Sequence, residues 1–448
     1  MSGMDRNVVD IFDVNKLKKT YFSISLPVVM GLIVTLVYNL ADTYFITATH
    51  DELLIAGVSL CSPLFMALMA FGNIYGQGGS SLISRLLGEK DENKVRHVSS
   101  FCFYIAVITG AVLAALLLIF RIPLLSLIGV REETMKYASD YYIVLSLGAP
   151  VIVLSFIHTN LVRCEGMASQ SMIGSIIGSV VNIILDPILI MYFKMGTRGA
   201  AIATVTGYLC SVLYLFYVVK TKSANLSTSI HDFRISAQQL AQIMGVGISA
   251  ALANLMSSAS IAMLNNALLP YGNKSIAAMG IVLKIVMIAQ LVLTGFAFGS
   301  VPLFGFLYGS QNKEKIRELT RFIIMFMSAL SIIFTLILGI GRIGIMQVFS
   351  QDGEIISLGG NMLLWQMLGT LFAGLVLFFT VMFQATGKSL PALIMSVSRQ
   401  GIVFFVCICL MSRILGYSGI IASQFASDII SSAMGCVLYL AVFRRKAD

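Results

Sequence analysis

Long apolar runs set the pattern of this chain: stretches of eighteen or more mostly hydrophobic residues recur from one end to the other, separated by short polar segments. Each is long enough to cross the roughly 30 Å hydrocarbon core of a bilayer as a helix and too long for a barrel strand. They predict twelve helices, near 21–46, 54–80, 98–120, 138–160, 170–192, 199–219, 240–268, 276–307, 320–340, 355–385, 389–411 and 417–443. The expected fold class is all-α integral membrane, a multi-pass protein whose solvent is lipid.

Composition agrees. Of 448 residues, 58% are hydrophobic and 11% charged, against roughly a quarter charged in a soluble domain. Glycine is frequent at 38 and tryptophan is represented once, as suits spanning helices packed through small residues. A net charge of +9 could suggest a nucleic-acid partner, but the basic residues are scattered over short loops, so none is expected. Their placement encodes topology instead. Of 30 Lys and Arg, 20 fall on the N-terminal side of the membrane, 8 on the opposite side, and Lys284 and Arg399 lie within spans. The positive-inside rule then puts both termini in the cytoplasm and the protein in the inner (plasma) membrane. Asp5, Arg6, Asp10, Asp13, Lys16, Lys18 and Lys19 precede the first apolar core, so no cleaved signal is expected. The seven cysteines lie mostly inside apolar runs without ligand-type spacing and read as packing thiols.

An internal repeat divides the chain. Sliding it by 221 residues sets Gly88 to Arg96, GEKDENKVR, against Gly309 to Arg317, GSQNKEKIR. Gly166 faces Gly387 at the same offset, Gly57, Gly72 and Gly76 match Gly280, Gly295 and Gly299 at 223, and Gly196 and Gly199 match Gly416 and Gly419 at 220. So small a drift implies two six-helix lobes related by a parallel repeat, with a central cleft between them. The expected organisation is a cytoplasmic segment 1–20, an N-terminal lobe 21–220, a cytoplasmic linker 221–239, a C-terminal lobe 240–443 and a basic tail 444–448.

Charges inside the spans are costly and therefore informative. The first half holds Asp42 in VYNLADTYFI and Asp186 in VNIILDPILI. Counting from the outer helix ends puts Asp42, Asp186 and Thr204 at one depth, roughly 6 to 9 Å inside at 1.5 Å per residue. Tyr38 and Asn182 precede the two aspartates by four residues and so lie one turn away on the same faces. Two buried acids with an amide and a hydroxyl could hold H⁺ or Na⁺ in turn; helix-to-helix glue is the structural alternative. Pro187, directly after Asp186, leaves a carbonyl without its donor and invites a bend.

Other polar positions point to structure. His158, Asn160, Arg163 and Glu165 read as snorkelling or charge-paired residues, and Gln77 and Arg85 as close-packing and anchoring ones. In the second half Lys284, Arg399 and Asp428 fall well within spans; Asp428 could neutralise either cation, or these groups could touch ion or substrate. Neither GxGxxG, a Walker sequence, HExxH nor GxSxG occurs, which argues against nucleotide binding and against an enzyme.

Four pieces in order carry a family resemblance: SLPVVMGLIVTLVYNLADTYFI, GQGGSSLISRLLGEKD, NIILDPILI and Gly196 to Thr204 entering the sixth helix. On these the chain resembles the multidrug and toxic compound extrusion family over nearly its full length, within the group of DNA-damage-inducible and staphylococcal-type bacterial exporters. The resemblance implies export of small, often cationic and aromatic drugs in exchange for H⁺ or Na⁺ by alternating access. It implies no cofactor, no metal beyond a possible Na⁺, membrane lipid as surroundings, and a monomer. The coupling motif falls on Asp42, Asn182, Asp186 and Thr204, with Tyr38 and Asn39 lining the cavity. Another branch of the family uses acidic ligands in the seventh and tenth helices, but no Asp or Glu occurs from Gly245 to Pro270 or from Ile355 to Gly387. The coupling site is accordingly expected in the N-terminal lobe alone. A lipid-linked oligosaccharide flippase is the alternative cargo reading; it calls for a cationic cleft, whereas the first lobe's buried charge is acidic.

Overall fold

The computed structural model describes residues 14–443, so Asp5, Arg6, Asp10, Asp13 and the basic tail 444–448 lie outside the described residues. Eleven continuous or lightly broken helices and one sharply bent pair give twelve candidate spans, with no strand among the described residues. The first lobe holds Leu17–Thr47, Glu52–Gly88, Glu92–Ile119, Glu132–Cys164, Ala168–Tyr192 and Gly196–Thr221. The second holds Ala237–Tyr271, Asn273–Gly309, Lys313–Ile340, Gly353–Ala385, Ser389–Leu415 and Tyr417–Phe443. All twelve apolar runs form helices at the expected places. The fourth differs in shape: it bends by 55° between Leu147 and Ala149, where Gly148 sits against Val205 and Pro150 opens the second half. Two short helices, Arg121–Leu127 and Arg342–Phe349, occupy matching places after the third and ninth spans.

The repeat is a recipe for a tight helix-to-helix turn. In each copy the residue before the cap takes a left-handed backbone, Lys90 at φ 59° and Gln311 at φ 55°. Asp91 and Asn312 then cap the next span, each side-chain oxygen accepting the backbone N–H three residues on, at 3.1 Å. Gly166 and Gly387, at φ +85° and +70°, end the fourth and tenth spans in the same positive-φ geometry, which suits glycine because it has no Cβ to clash.

Where the lobes meet is decided by glycine. Gly78 lies against the carbonyl of Ile243, Gly247 against that of Ile74, Gly88 against that of Phe306 and Gly309 against that of Arg85; a Cβ at any of these would overlap the opposite backbone. Gly295 and Gly299 receive Val29 and Ser25 of the first span in the same way. All these contacts sit in the half of the bundle that carries the chain ends. One apolar core there includes residues of both lobes, whereas toward the other end each lobe has its own core, around Tyr142 and Leu145 in the first and around Met279 and Met362 in the second. The lobes are therefore joined at one end and splayed at the other, with the cleft between.

The linker does not hang free. Glu165 accepts hydrogen bonds from the Ser223 hydroxyl at 2.6 Å and from the N–H of Ala224 and Asn225 at 3.2 and 2.8 Å. Ser100 donates to the carbonyl of Ser229 at 2.6 Å. Glu165 is thus a structural fastener, held by neutral donors rather than by the opposite charge the sequence allowed for.

Candidate functional site

The fifth and sixth spans touch through Gly178 and Gly207, whose missing side chains let the two backbones close. That approach brings Asn182 and Thr204 together, the amide nitrogen donating to the hydroxyl at 3.4 Å. Asp186 stands one turn beyond Asn182 and is fully buried, and the carboxyl groups of Asp42 and Asp186 come within hydrogen-bonding reach of each other. Tyr38, one turn before Asp42, reaches Thr204. The residues placed at one depth by counting do meet in one pocket.

What distinguishes this pocket is that it is short of donors. Both oxygens of Asp186, one of Asp42 and the side-chain oxygen of Asn182 are buried with no hydrogen-bond partner. Two carboxylates cannot satisfy each other, since an ionised carboxylate only accepts. With an effective dielectric near 20, two such charges about 4 Å apart repel by ~4 kcal/mol. One positive charge between them removes that cost: a proton lets one carboxyl donate to the other, and a small metal cation can draw several of the stranded oxygens in as ligands.

The backbone supports a change of shape here. Pro187 supplies no N–H, and the helix widens to a π segment over Pro187–Tyr192, in which Phe193 N–H donates to the carbonyl of Ile188 at 2.9 Å. The expected disturbance after Asp186 thus takes the form of a widened turn. Two tyrosines were missed by sequence reasoning: Tyr141 of the fourth span and Tyr208 of the sixth both lie within electrostatic range of Asp42. Tyr208 follows Thr204 by one turn, a signal the sequence did contain; Tyr141 had none, because depth counting gives level but not direction.

Beside this pocket opens the central cavity, about 840 Å³, lined by both lobes. Tyr38, Asn39, Asn182 and Thr204 form part of its N-terminal wall, so the acids stand just behind that wall. Phe65, Met69, Phe156, Met172, Met287 and Phe298 give it apolar surface. Gln77 and Arg163 lie at its floor, next to the closure between the lobes. Arg163 makes no ion pair among the described residues, so it is not the charge-paired residue the sequence allowed for, and its buried Nε has no hydrogen-bond partner. Arg85 packs against Gly387 and Gly309 of the other lobe, an anchor between lobes rather than within one.

In the second lobe the structure chooses Arg399 as the partner of Asp428, Nε to Oδ1 at 2.7 Å, and leaves Lys284 on the cavity wall. Gln424 donates to the same oxygen at 3.0 Å and Gln290 accepts from Arg399 at 3.4 Å. The side chains are 12% and 2% exposed. Loss of one partner alone, as in Asp428→Asn, is expected to cost about 3–5 kcal/mol and to lower the thermal midpoint of the purified protein. Arg399→Gln combined with Asp428→Asn should recover most of it; a double variant as unstable as the two losses added would argue against the pairing.

Comparison with known proteins places these features. A family model described as MatE matches residues 27–188 and again 246–409, one match in each lobe. The multidrug export protein MepA of Staphylococcus saprophyticus is 33% identical over 444 residues, covering 98% of this chain and 97% of that one. MepA of Staphylococcus haemolyticus is 31% identical over 435 residues, covering 97% and 96%. Among solved structures, an outward-facing multidrug resistance MATE family transporter of the MOP superfamily superposes with a TM-score of 0.92 at 23% identity, covering all of both chains. A MOP superfamily transporter from Pyrococcus furiosus, whose binding pocket is described as of reverse polarity, gives 0.90 at 24% over 99% of both.

Proposed function

Since the chain belongs to the MatE family of transporters, we propose that it exports small aromatic compounds in exchange for H⁺ or Na⁺, the exchange being seated at Asp42 and Asp186. The observation that carries this reading is the donor-poor pocket: four buried acceptor oxygens from Asp42, Asn182 and Asp186 have no partner, and the two carboxylates need a positive charge between them. Export of drugs is what the relatives of similar length are named for, and an aromatic- and methionine-lined cavity suits flat hydrophobic cargo.

With the topology read from the basic loops, the joined ends of the lobes face the cytoplasm and the cavity faces outward. Cation then enters from outside, past Tyr38, Asn182 and Thr204, and binds the two carboxylates. Its arrival draws the first and fifth spans together at Asp42 and Asp186, the π segment after Pro187 absorbs the change, and the cavity wall that held drug is altered. Drug leaves outward, the lobes rock, and the cation dissociates inward. By linkage, each ligand must weaken the other.

Ethidium uptake into everted vesicles, whose lumen is the external side, with proton and sodium gradients imposed separately, tests the reading. Uptake is expected under one of the two gradients and to vanish when that gradient is collapsed; movement indifferent to both would exclude coupling.

A further inference from the structure

The charges that face the central cavity have the wrong sign for a carrier of cations alone. Among the residues lining it are three cations, Arg163, Lys284 and Arg399, and no Asp or Glu. Arg399 is neutralised by Asp428 behind it. Lys284 and Arg163 have no acidic partner among the described residues, and the acids of the first lobe are screened by Tyr38, Asn182 and Thr204.

Lys284 is the more telling of the two. It lies eleven residues into the helix that starts at Asn273, roughly 17 Å down at 1.5 Å per residue, near the middle of a ~30 Å core. Its stem is too short to carry the ammonium group to either interface. Its helix turns one stripe to the cavity, with Met287, Gln290, Thr294 and Phe298 below it, so the charge is solvated by the cavity and by whatever fills it. A lysine without a partner at that depth marks a pathway for a ligand, and the ligand group that fits an ammonium is an anion.

We propose that Lys284 is a specificity-determining residue that receives an anionic group, in particular a carboxylate, so that among compounds sharing one aromatic core the cavity favours the one that bears it. With no acid on the cavity wall to offset it, the Lys284 ammonium attracts a carboxylate and repels a pure cation. The inference rests on the cavity being the drug path of the exporter proposed above.

A matched pair of dyes tests it. Rhodamine 110 carries a free carboxyl group and rhodamine 123 is its methyl ester, with the same aromatic core. Binding to the detergent-purified protein, followed by fluorescence anisotropy, is expected to be tighter for the acid. Lys284→Ala should weaken the acid about tenfold and change the ester by less than about twofold. Lys284→Arg, which keeps the charge, should preserve the preference. Equal effects of Lys284→Ala on both dyes, or none on the acid, would overturn the proposal, as would loss of the preference in Lys284→Arg. Uptake of the ester into everted wild-type vesicles reports separately on the transport reading: ester uptake without a Lys284-dependent acid preference sinks only this inference, and absence of ester uptake counts against the exporter itself.

Discussion

Replacing Asp42 and Asp186 together by asparagine is expected to lower gradient-driven ethidium uptake into everted vesicles, the measure of export, to the level of vesicles without the protein, while the protein still folds. Asparagine has nearly the shape of aspartate, so packing around the fully buried Asp186 is retained. What changes is the donor balance. Each new amide brings N–H groups to a pocket whose oxygens had none, and these can donate to the neighbouring side chain as a bound cation would. The variant therefore holds a shape like the cation-loaded one permanently and has no charge left to load. Relief of ~4 kcal/mol of repulsion corresponds to roughly a thousandfold in cation affinity, so removing its source leaves nothing to drive exchange. Each single variant should lose coupling as well, since one remaining carboxylate beside a neutral amide no longer needs a cation. Wild-type-like coupled efflux from the double variant would take the coupling role from these residues.

How legible was this in the sequence? The spans were, because an apolar run of twenty residues has few alternatives in a membrane. The pocket was legible in one coordinate: depth follows from counting at a fixed rise per residue, and Asp42, Asp186, Asn182 and Thr204 were levelled that way. Direction around the bundle does not follow from counting. It is fixed by which helix faces touch, here by Gly178 against Gly207, a contact between residues 29 apart in the chain. For the same reason Asp428 could not be assigned between Arg399 and Lys284, and Tyr141 could not be placed at all. The bend at Gly148 was hidden by its own hydropathy, because a break of one residue leaves the apolar average intact. The repeat, in contrast, was readable and has a local cause: Lys90 with Asp91, and Gln311 with Asn312, encode a turn and a cap that need no tertiary partner.

The two lobes also divide the electrostatics. The fifth and eleventh spans each carry a π segment, at Pro187–Tyr192 and Ser398–Ile402. Asp186 precedes the first and Arg399 lies within the second. At the first π segment the charge is acidic and lacks a donor; at the second it is basic and already paired with Asp428. An unpaired buried charge changes state when an ion arrives, whereas a paired one resists change. That asymmetry argues for placing ion exchange in the first lobe and a rigid wall for cargo in the second.

Bulk at the joined end should be the second large effect: Gly247→Leu with Gly309→Leu is expected to stop the lobes from closing there and to abolish transport. Both glycines face backbone, the carbonyls of Ile74 and Arg85, rather than side chains that could rotate away. A Cβ therefore forces the helices apart, and overpacking of about 1–3 kcal/mol at each position suffices to shift a two-state equilibrium by one to two orders of magnitude. The outer cores of the two lobes, around Leu145 and around Met362, do not include these positions, so each lobe retains packing of its own. Spin labels at Glu89→Cys and Ser310→Cys, both exposed and next to the Gly88 and Gly309 contacts, report the separation directly once the seven native cysteines are replaced. The double variant should lengthen that distance and leave ethidium efflux at background, because a transporter held open at one end cannot complete a cycle. An unchanged distance with normal efflux would mean that these glycines pack the lobes without gating them.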